Sequence, residues 1–304
     1  MRNQGFFIFN TKSIQNIAES IIFSRILKLK IITMKKLIIS SFALYAFASC
    51  SSSDDTLEQD PPVDPITIVP TKLTEITQDN QTYVTTFKYD GTKLLESNDV
   101  GTNEKTVYTY SGDNIVKTED FEGNTMVYMR EFTYINGKVS AEKITNKHSG
   151  TLVYTKNFQY LSDNHVQYNE YTSSTYNPTT GVHSNVKFTL YDVYISNNNN
   201  LITATSTYEA QTRKYTYLYD GQNNPTKNIK GFLKINFLLS AEGDVAGNNL
   251  LTMKSTYTGP TNGNTSATSV HTYNNNNFPT KTVTTYTSTT FPTNSHTFLA
   301  EYNK

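Results

Sequence analysis

A short pattern that recurs along the chain constrains the fold more than any other feature. It reads aromatic residue, any residue, tyrosine, polar turn, then a short apolar strand. Copies occupy residues 87–95, 108–116, 132–139, 158–166, 217–225 and 271–279, with a looser copy at 188–192. Successive central tyrosines from Tyr89 to Tyr219 are 21 to 31 residues apart. That spacing predicts two strands and two turns per copy.

The residues within each copy have the properties that a β-hairpin needs. Residues i and i+2 of a strand share a face, so each aromatic-x-Tyr pair places two rings side by side. Asp-Gly, Asn-Gly and Gly-Asp supply the turns, because glycine and asparagine tolerate positive φ. We therefore predict an all-β fold, in which an extended antiparallel sheet runs as a meander of repeated hairpins and each unit contacts mainly its neighbours.

The regular spacing of the copies is interrupted in the second half of the chain. Tyr219 and Tyr273 are 54 residues apart, which is about two periods and predicts one degenerate or inserted unit between residues 227 and 257. Residues 228–251 include the most apolar stretch after the amino-terminal region. They predict a short helix or a buried strand that caps the sheet; an insertion that lines a ligand site is the alternative.

The amino-terminal region has the features of a targeting segment. Residues 34–49 combine two lysines, an apolar run too short to span a bilayer, and small residues directly before Cys50. We interpret residues 1–33 as an untranslated or extended upstream segment and 34–49 as a signal peptide. Residues 50–70 form an acidic stalk rich in Ser, Asp and Pro, and residues 71–304 form the repeat domain. The Asp residues of the stalk lack the glycine turn of a calcium loop.

Two resemblances follow from these residues. The small residues before Cys50 and the Ser/Asp tract after it resemble the lipobox of Bacteroidetes surface lipoproteins. The repeat resembles the YD (Rhs-type) family, most closely at Tyr89-Asp90-Gly91 and Tyr219-Asp220-Gly221. With both features, the chain is similar to uncharacterised Bacteroidetes lipoproteins built from such hairpins. The resemblance implies that Cys50 is acylated and that the protein is an outer membrane lipoprotein, on either the periplasmic or the surface face.

The repeat tyrosines have two interpretations. On one sheet face their rings could bind sugars, because tyrosine presents an apolar ring with a polar tip. Alternatively, the rings cover one another and serve the fold, which repetition in every copy favours. The candidate binding residues are Tyr89, Tyr110, Tyr134, Tyr160, Tyr219 and Tyr273.

Several classes of function find no support in the sequence. A net charge of zero does not favour a nucleic-acid partner, and a lone cysteine excludes disulfide frameworks and multi-cysteine metal sites. Hydrolase and nucleotide-binding motifs are missing, the five histidines are scattered, and acids such as Glu119 and Asp120 resemble solvated turn residues. We predict no catalytic residues, metal or cofactor.

The predicted function is a non-enzymatic structural or interaction role in the envelope. Its partners would be the membrane, through Cys50, and a glycan or an envelope protein. The first alternative is a surface glycan-binding lipoprotein of a polysaccharide-uptake system. The second is a hydrolase with an unrecognised site.

Overall fold

A computed structural model describes residues 67–147, 151–177, 182–239, 246–259, 262–289 and 292–303. Within these ranges, the side chains of residues 151–154, 171–188 and 236–239 are not described. The predicted signal peptide, Cys50 and nearly all of the predicted stalk lie outside the described residues, so those predictions stand as they were made.

Sixteen strands make up most of the described chain. The first eight are β1 (Pro70–Ile76), β2 (Thr82–Asp90), β3 (Lys93–Val100), β4 (Glu104–Ser111), β5 (Asn114–Glu122), β6 (Thr125–Ile135), β7 (Lys138–Asn146) and β8 (Thr151–Ser162). The others are β9 (His165–Asn177), β10 (Val182–Ile195), β11 (Leu201–Tyr208), β12 (Gln211–Tyr219), β13 (Leu250–Thr258), β14 (Gly263–Tyr273), β15 (Pro279–Ser288) and β16 (Asn294–Tyr302). One described helix, α1 (Phe232–Leu239), lies between β12 and β13.

The strands form one closed antiparallel barrel. Each strand pairs with its neighbours in sequence, and β16 pairs with β1 to close the wall. The prediction of an all-β antiparallel fold with two strands per repeat is confirmed. The prediction of an open, extended meander is wrong, because the first and last strands of the sheet are paired with each other.

Repeated β-bulges give a physical reason for the closure. The pairing register shifts at the tyrosine of most copies, for example between Lys88 and Tyr89, between Thr109 and Tyr110, and between Thr133 and Tyr134. A bulge adds one residue to one strand, bends it and increases the local twist. The same bend in successive hairpins curls a sheet that would otherwise stay open, and a curled sheet of sixteen strands can close.

The two ends of the barrel differ. The hairpin turns after β2, β4, β6, β8, β10 and β14 lie at the same end as the start of β1 and the finish of β16, because Pro70 pairs with Tyr302. The connection from β12 to β13, residues 220–249, leaves from this end. We call this segment the cap and the end that carries it the capped end.

The cap corrects two details of the predicted repeat. Tyr219-Asp220-Gly221 does not make a tight hairpin turn, since β12 pairs with β13 only across the whole cap, with Tyr219 opposite Leu250. The long spacing before Tyr273 therefore arises inside one hairpin, and the described residues between β12 and β13 contain no additional strand pair. The short helix expected in this region is present as α1.

The interior of the barrel holds the core. Leu94, Ile115, Val139 and Val166 on the odd-numbered strands are almost completely buried, and they lie one level inside the capped end. Ile235 of α1 belongs to the same hydrophobic cluster as Ile115 and Val139. No helix in the described ranges has the length and apolar character needed to cross a bilayer.

The outward face of the wall is polar over most of its height. Ion pairs join Lys105 to Glu96, Lys117 to Glu119 and Lys143 to Glu131 on the outer side of β3 to β7. On β11 to β15 the outward positions are mainly threonine and lysine, as in Thr212, Lys214 and Thr216 of β12.

Candidate functional site: the inner wall and its cap

The six candidate tyrosines share one position in the fold. Each lies at the end of an even-numbered strand, on the inner wall, beside the capped end. The aromatic residue two positions earlier forms a second row one level deeper, and in β8 this is Phe158, whose ring lies 5.1 Å from that of Tyr168. The looser copy at 188–192 is out of register with the others, because Ile195, not Tyr191, is the residue that pairs across the bulge before the turn.

Two repeat tyrosines, and also Tyr302 at the end of β16, bond to the hairpin that precedes their strand. The Tyr134 hydroxyl donates to the Ile115 carbonyl oxygen at 2.7 Å, and that of Tyr302 donates to the Pro279 carbonyl oxygen at 2.8 Å. At the equivalent place in the first two copies, the Leu94 amide donates to the Tyr110 hydroxyl at 3.0 Å. Pro279, Ile115 and Leu94 occupy the same repeat position, opposite the preceding tyrosine. This bond therefore ties adjacent hairpins together.

Burial changes the acidity of these rings. It raises the pKa of Tyr108, Tyr110 and Tyr160 to about 12, and that of Tyr134 well above its usual value, because a phenolate loses hydration in the wall. The hydroxyls are therefore neutral donors and acceptors at neutral pH.

The cap is bonded to turns around the rim of the barrel. The Lys230 amide donates to the Thr92 carbonyl oxygen at 2.9 Å, after β2, and its own carbonyl oxygen accepts from Tyr110 at 3.1 Å. Asn228 donates to the Ile68 carbonyl oxygen at 2.9 Å, at the entry to β1. These bonds fix the first part of the cap against the hairpins that open the barrel.

Asparagine side chains fix the other part of the cap. Asn248 and Asn200 bond reciprocally at 3.0 Å, and Asn223 donates to the Asn276 carbonyl oxygen at 3.0 Å. The asparagine runs at 197–200 and 274–277 form turns, and Asn200 is buried against the cap. The cap thus spans the end from the turns after β2 and β4 to those after β10 and β14.

A ladder of alternating charge crosses the inner wall. Arg130 on β6 contacts Asp120 on β5 at 2.7 Å and Glu142 on β7 at 3.9 Å. Lys156 on β8 then contacts Glu142 at 3.5 Å and Glu170 on β9 at 3.4 Å. The side chains of Asp120, Glu142 and Lys156 are at most 3% exposed. Each buried acid of the ladder, Asp120 and Glu142, therefore contacts a cation on a neighbouring strand.

The sequence interpretation missed this ladder. Asp120 was expected to be solvated but is 2% exposed, because strand alternation turns it inward while Glu119 faces out and pairs with Lys117. The sequence did contain a pattern that could have predicted this ladder. Arg130 lies two residues before Phe132, and Lys156 two before Phe158, so each cation must share the inward face of a repeat aromatic.

The described histidines have roles within the fold. His296 on β16 faces Glu75 on β1 through Nδ1 at 2.5 Å and Asn294 through Nε2 at 2.9 Å, across the closing pair of strands. His271 uses Nδ1 toward Thr282 and Nε2 toward the Leu250 carbonyl oxygen. His165 lies on the outer wall, 2.6 Å from Asp192. Among the described residues, no group of three or more His, Cys, Asp and Glu could hold a metal ion.

Comparisons with known proteins assign no family. No protein-family model matches the chain, and no curated protein matches it. Two solved structures that it is similar to are porin-like proteins. That of Bacteroides vulgatus has 14% identity and a TM-score of 0.48 over 78% of this chain and 99% of its own. That of Bacteroides uniformis has 11% identity and a TM-score of 0.44, over 77% and 96%. Membership of the YD-repeat group stays a prediction from the repeat residues.

Proposed function

We propose that this protein is a lipid-anchored envelope protein with a non-enzymatic structural or interaction role, whose barrel stands in water. The polarity of the wall carries the proposal. A wall that faces lipid needs an outward apolar band about 25 Å tall, and charged side chains on that face are destabilising. Here Lys105, Lys117 and Lys143 form ion pairs with glutamates on the outer face.

The inner wall supports a structural role for the repeat. Hydroxyls of Tyr110, Tyr134 and Tyr302 bond to neighbouring hairpins, and that of Tyr273 bonds to Asp220 of the cap. Buried polar groups that satisfy each other in this way hold one packing arrangement. The rings point inward, so they do not form an outer platform for sugars. Glycan binding remains a prediction, and it would require the glycan to reach the tyrosine rings inside the barrel.

The anchor and the water-facing wall can be tested with one substitution. We expect the wild-type protein to fractionate with membranes and Cys50→Ser to enter the soluble fraction without detergent, as a β-rich protein that unfolds cooperatively in urea. Retention of Cys50→Ser in the membrane until detergent is added would contradict the water-facing wall. Release of the wild-type protein by a salt wash would contradict the anchor.

A further inference from the structure

Exposed apolar side chains gather on the outer wall beside the capped end. Leu299, which is 36% exposed, lies there, and so do six large apolar side chains that are 42 to 68% exposed. We call these six the outer rim: Ile135, Leu161, Tyr194, Ile202, Leu218 and Val270. At the far end, Val100 is 54% exposed and lies at the last position of β3, as Ile135 lies at the last position of β6.

The outer rim is a low band. Each member lies within four residues of the capped end of its strand, from Ile135 at the last position of β6 to Val270 near the end of β14. At about 3.3 Å per residue the band is on the order of 10 Å high. That height is too small to span a bilayer but matches the depth of about 5–10 Å to which apolar faces enter a membrane interface.

The chain enters the barrel at the same end. Val69, directly before β1, is buried with Leu94 and Ile229 of the cap, so the chain enters β1 at the capped end. Val69 lies 19 positions after Cys50, and this length of chain reaches at most about 60–70 Å. A short tether raises the local concentration of the tethered surface, so an anchor at Cys50 would present this end to the lipid far more often than the other.

The exposed lysines on the described part of the cap favour a lipid surface over a second copy of the chain. Lys227, Lys230 and Lys234 are exposed on the cap, and of these Lys230 pairs with Asp113. Two copies meeting cap to cap would bring these lysines together. Anionic headgroups would instead be attracted to them, by roughly 1 kcal/mol per basic residue near the surface.

We infer that the barrel sits with its capped end on the membrane interface, with the outer rim inserted among the headgroups and the far end pointing away. This deepens the proposed function, because the lipid anchor brings the rim to its site. The two ends of the barrel then differ in role. A partner would bind the far end or the part of the outer wall that lies between the outer rim and the far end.

The test uses the lack of tryptophan and the single cysteine of the chain. The mature chain from Cys50 is coupled through that thiol to a maleimide phospholipid in vesicles of phosphatidylethanolamine and phosphatidylglycerol. Leu218→Trp and Ile202→Trp report on the rim, and Val100→Trp is the matched control at the far end. Each variant is first shown to unfold in urea at the midpoint of the parent protein.

On coupling, we expect the emission of both rim tryptophans to shift to shorter wavelength and to be quenched by nitroxide-labelled lipids, while the Val100→Trp emission stays unchanged. Equal responses at the two ends, or no response at the rim, would overturn the inference. A shift that grows with protein concentration without lipid would assign the rim to an interface between copies and would overturn it as well. Because the coupling is chemical, failure here is distinct from failure of acylation in Cys50→Ser.

Discussion

In several repeats, the tyrosine hydroxyl carries more of the structure than the sequence pattern suggested. The sequence showed that Tyr134 and Phe132 share a face, because residues two apart on a strand always do. It could not show that the Tyr134 hydroxyl reaches the Ile115 carbonyl oxygen, since that contact needs the register between β5 and β6. The same limit explains Asp120, whose neighbour Glu119 has similar chemistry but faces the other side of the wall.

We expect Tyr134→Phe to lower the free energy of unfolding by about 1 kcal/mol, because a buried carbonyl oxygen loses its donor while the ring is kept. Urea denaturation monitored by circular dichroism measures the loss. Tyr83→Phe, on β2 near the far end, is the control. An unchanged midpoint for Tyr134→Phe would show that the hydroxyl does not tie the hairpins together.

The raised pKa values of the tyrosines predict how stability depends on pH. Tyr108, Tyr110 and Tyr160 have a pKa of about 12 in the folded protein against 10.0 when unperturbed, so the folded state keeps protons that the unfolded chain loses. Their contribution is complete below pH 10 and is lost as the pH rises from 10 to about 12. We expect tyrosinate absorbance at 295 nm to rise together with loss of the β signal. Full ionisation near pH 10 with the fold intact would contradict this.

At the scale of elements, hairpins were predictable and the cap was not. Asn136-Gly137 joins β6 and β7 as a local turn, with both residues at positive φ. Asp220-Gly221 is a similar pair of turn residues but begins the cap, because Asp220 bonds to the distant residues Asn249 and Tyr273. Local sequence patterns predict contacts between residues that are close in sequence, and the cap makes few such contacts.

Docking of the cap can be tested at a single glycine. Gly231 has φ of +72°, and a Cβ there would lie 2.6 Å from the Asp113 carbonyl oxygen. We expect Gly231→Ala to cost at least about 1 kcal/mol in the free energy of unfolding, from the backbone conformation alone. Gly221→Ala is the control, since a Cβ there meets no atom within 4 Å. Similar urea midpoints for the two variants would mean that the cap is not closely docked on the turn after β4.

The charge ladder predicts a large difference between two chemically identical substitutions. Lys156→Met removes the cation that contacts Glu142 and Glu170, leaving the buried Glu142 carboxylate with the more distant Arg130 at 3.9 Å, and should cost about 3–5 kcal/mol. Lys143→Met removes the partner of Glu131 on the exposed outer face and should cost less than about 1 kcal/mol.

A double variant shows whether charge is the cause. Adding Glu142→Gln to Lys156→Met removes the buried acid that lost its closer cation, so part of the lost stability should return. Urea unfolding of the four proteins gives the comparison. Equal losses in the free energy of unfolding for Lys156→Met and Lys143→Met would mean that the ladder is in contact with water.

At the scale of the whole molecule, closure makes the sixteen strands interdependent. Glu75 and His296 meet across β1 and β16 although they are 221 positions apart. The repeat pattern predicted the strands and their order, but an open meander and a closed barrel have the same local pattern. The difference lies in the pairing of Pro70 with Tyr302, which no local signal could reveal.

Deleting residues 292–304 distinguishes a closed wall from a meander. A meander would lose one strand and keep the rest, whereas we expect the barrel to lose cooperative unfolding and to aggregate through the exposed edges of β1 and β15. Moving residues 292–303 ahead of residue 67 should restore folding, because β16 ends where β1 begins. A deletion variant that stays monomeric with the parent midpoint would contradict the closed wall.

The pairing of β16 with β1 also sets an order of events for folding during synthesis. The first strand, β1, leaves the ribosome before all the others and can pair at first only with β2, so one of its edges stays open until β16 has been made. The finished wall therefore forms only after the last strand is available. Until then, the open edge of β1 can pair with another chain, which makes the unfinished sheet prone to aggregation.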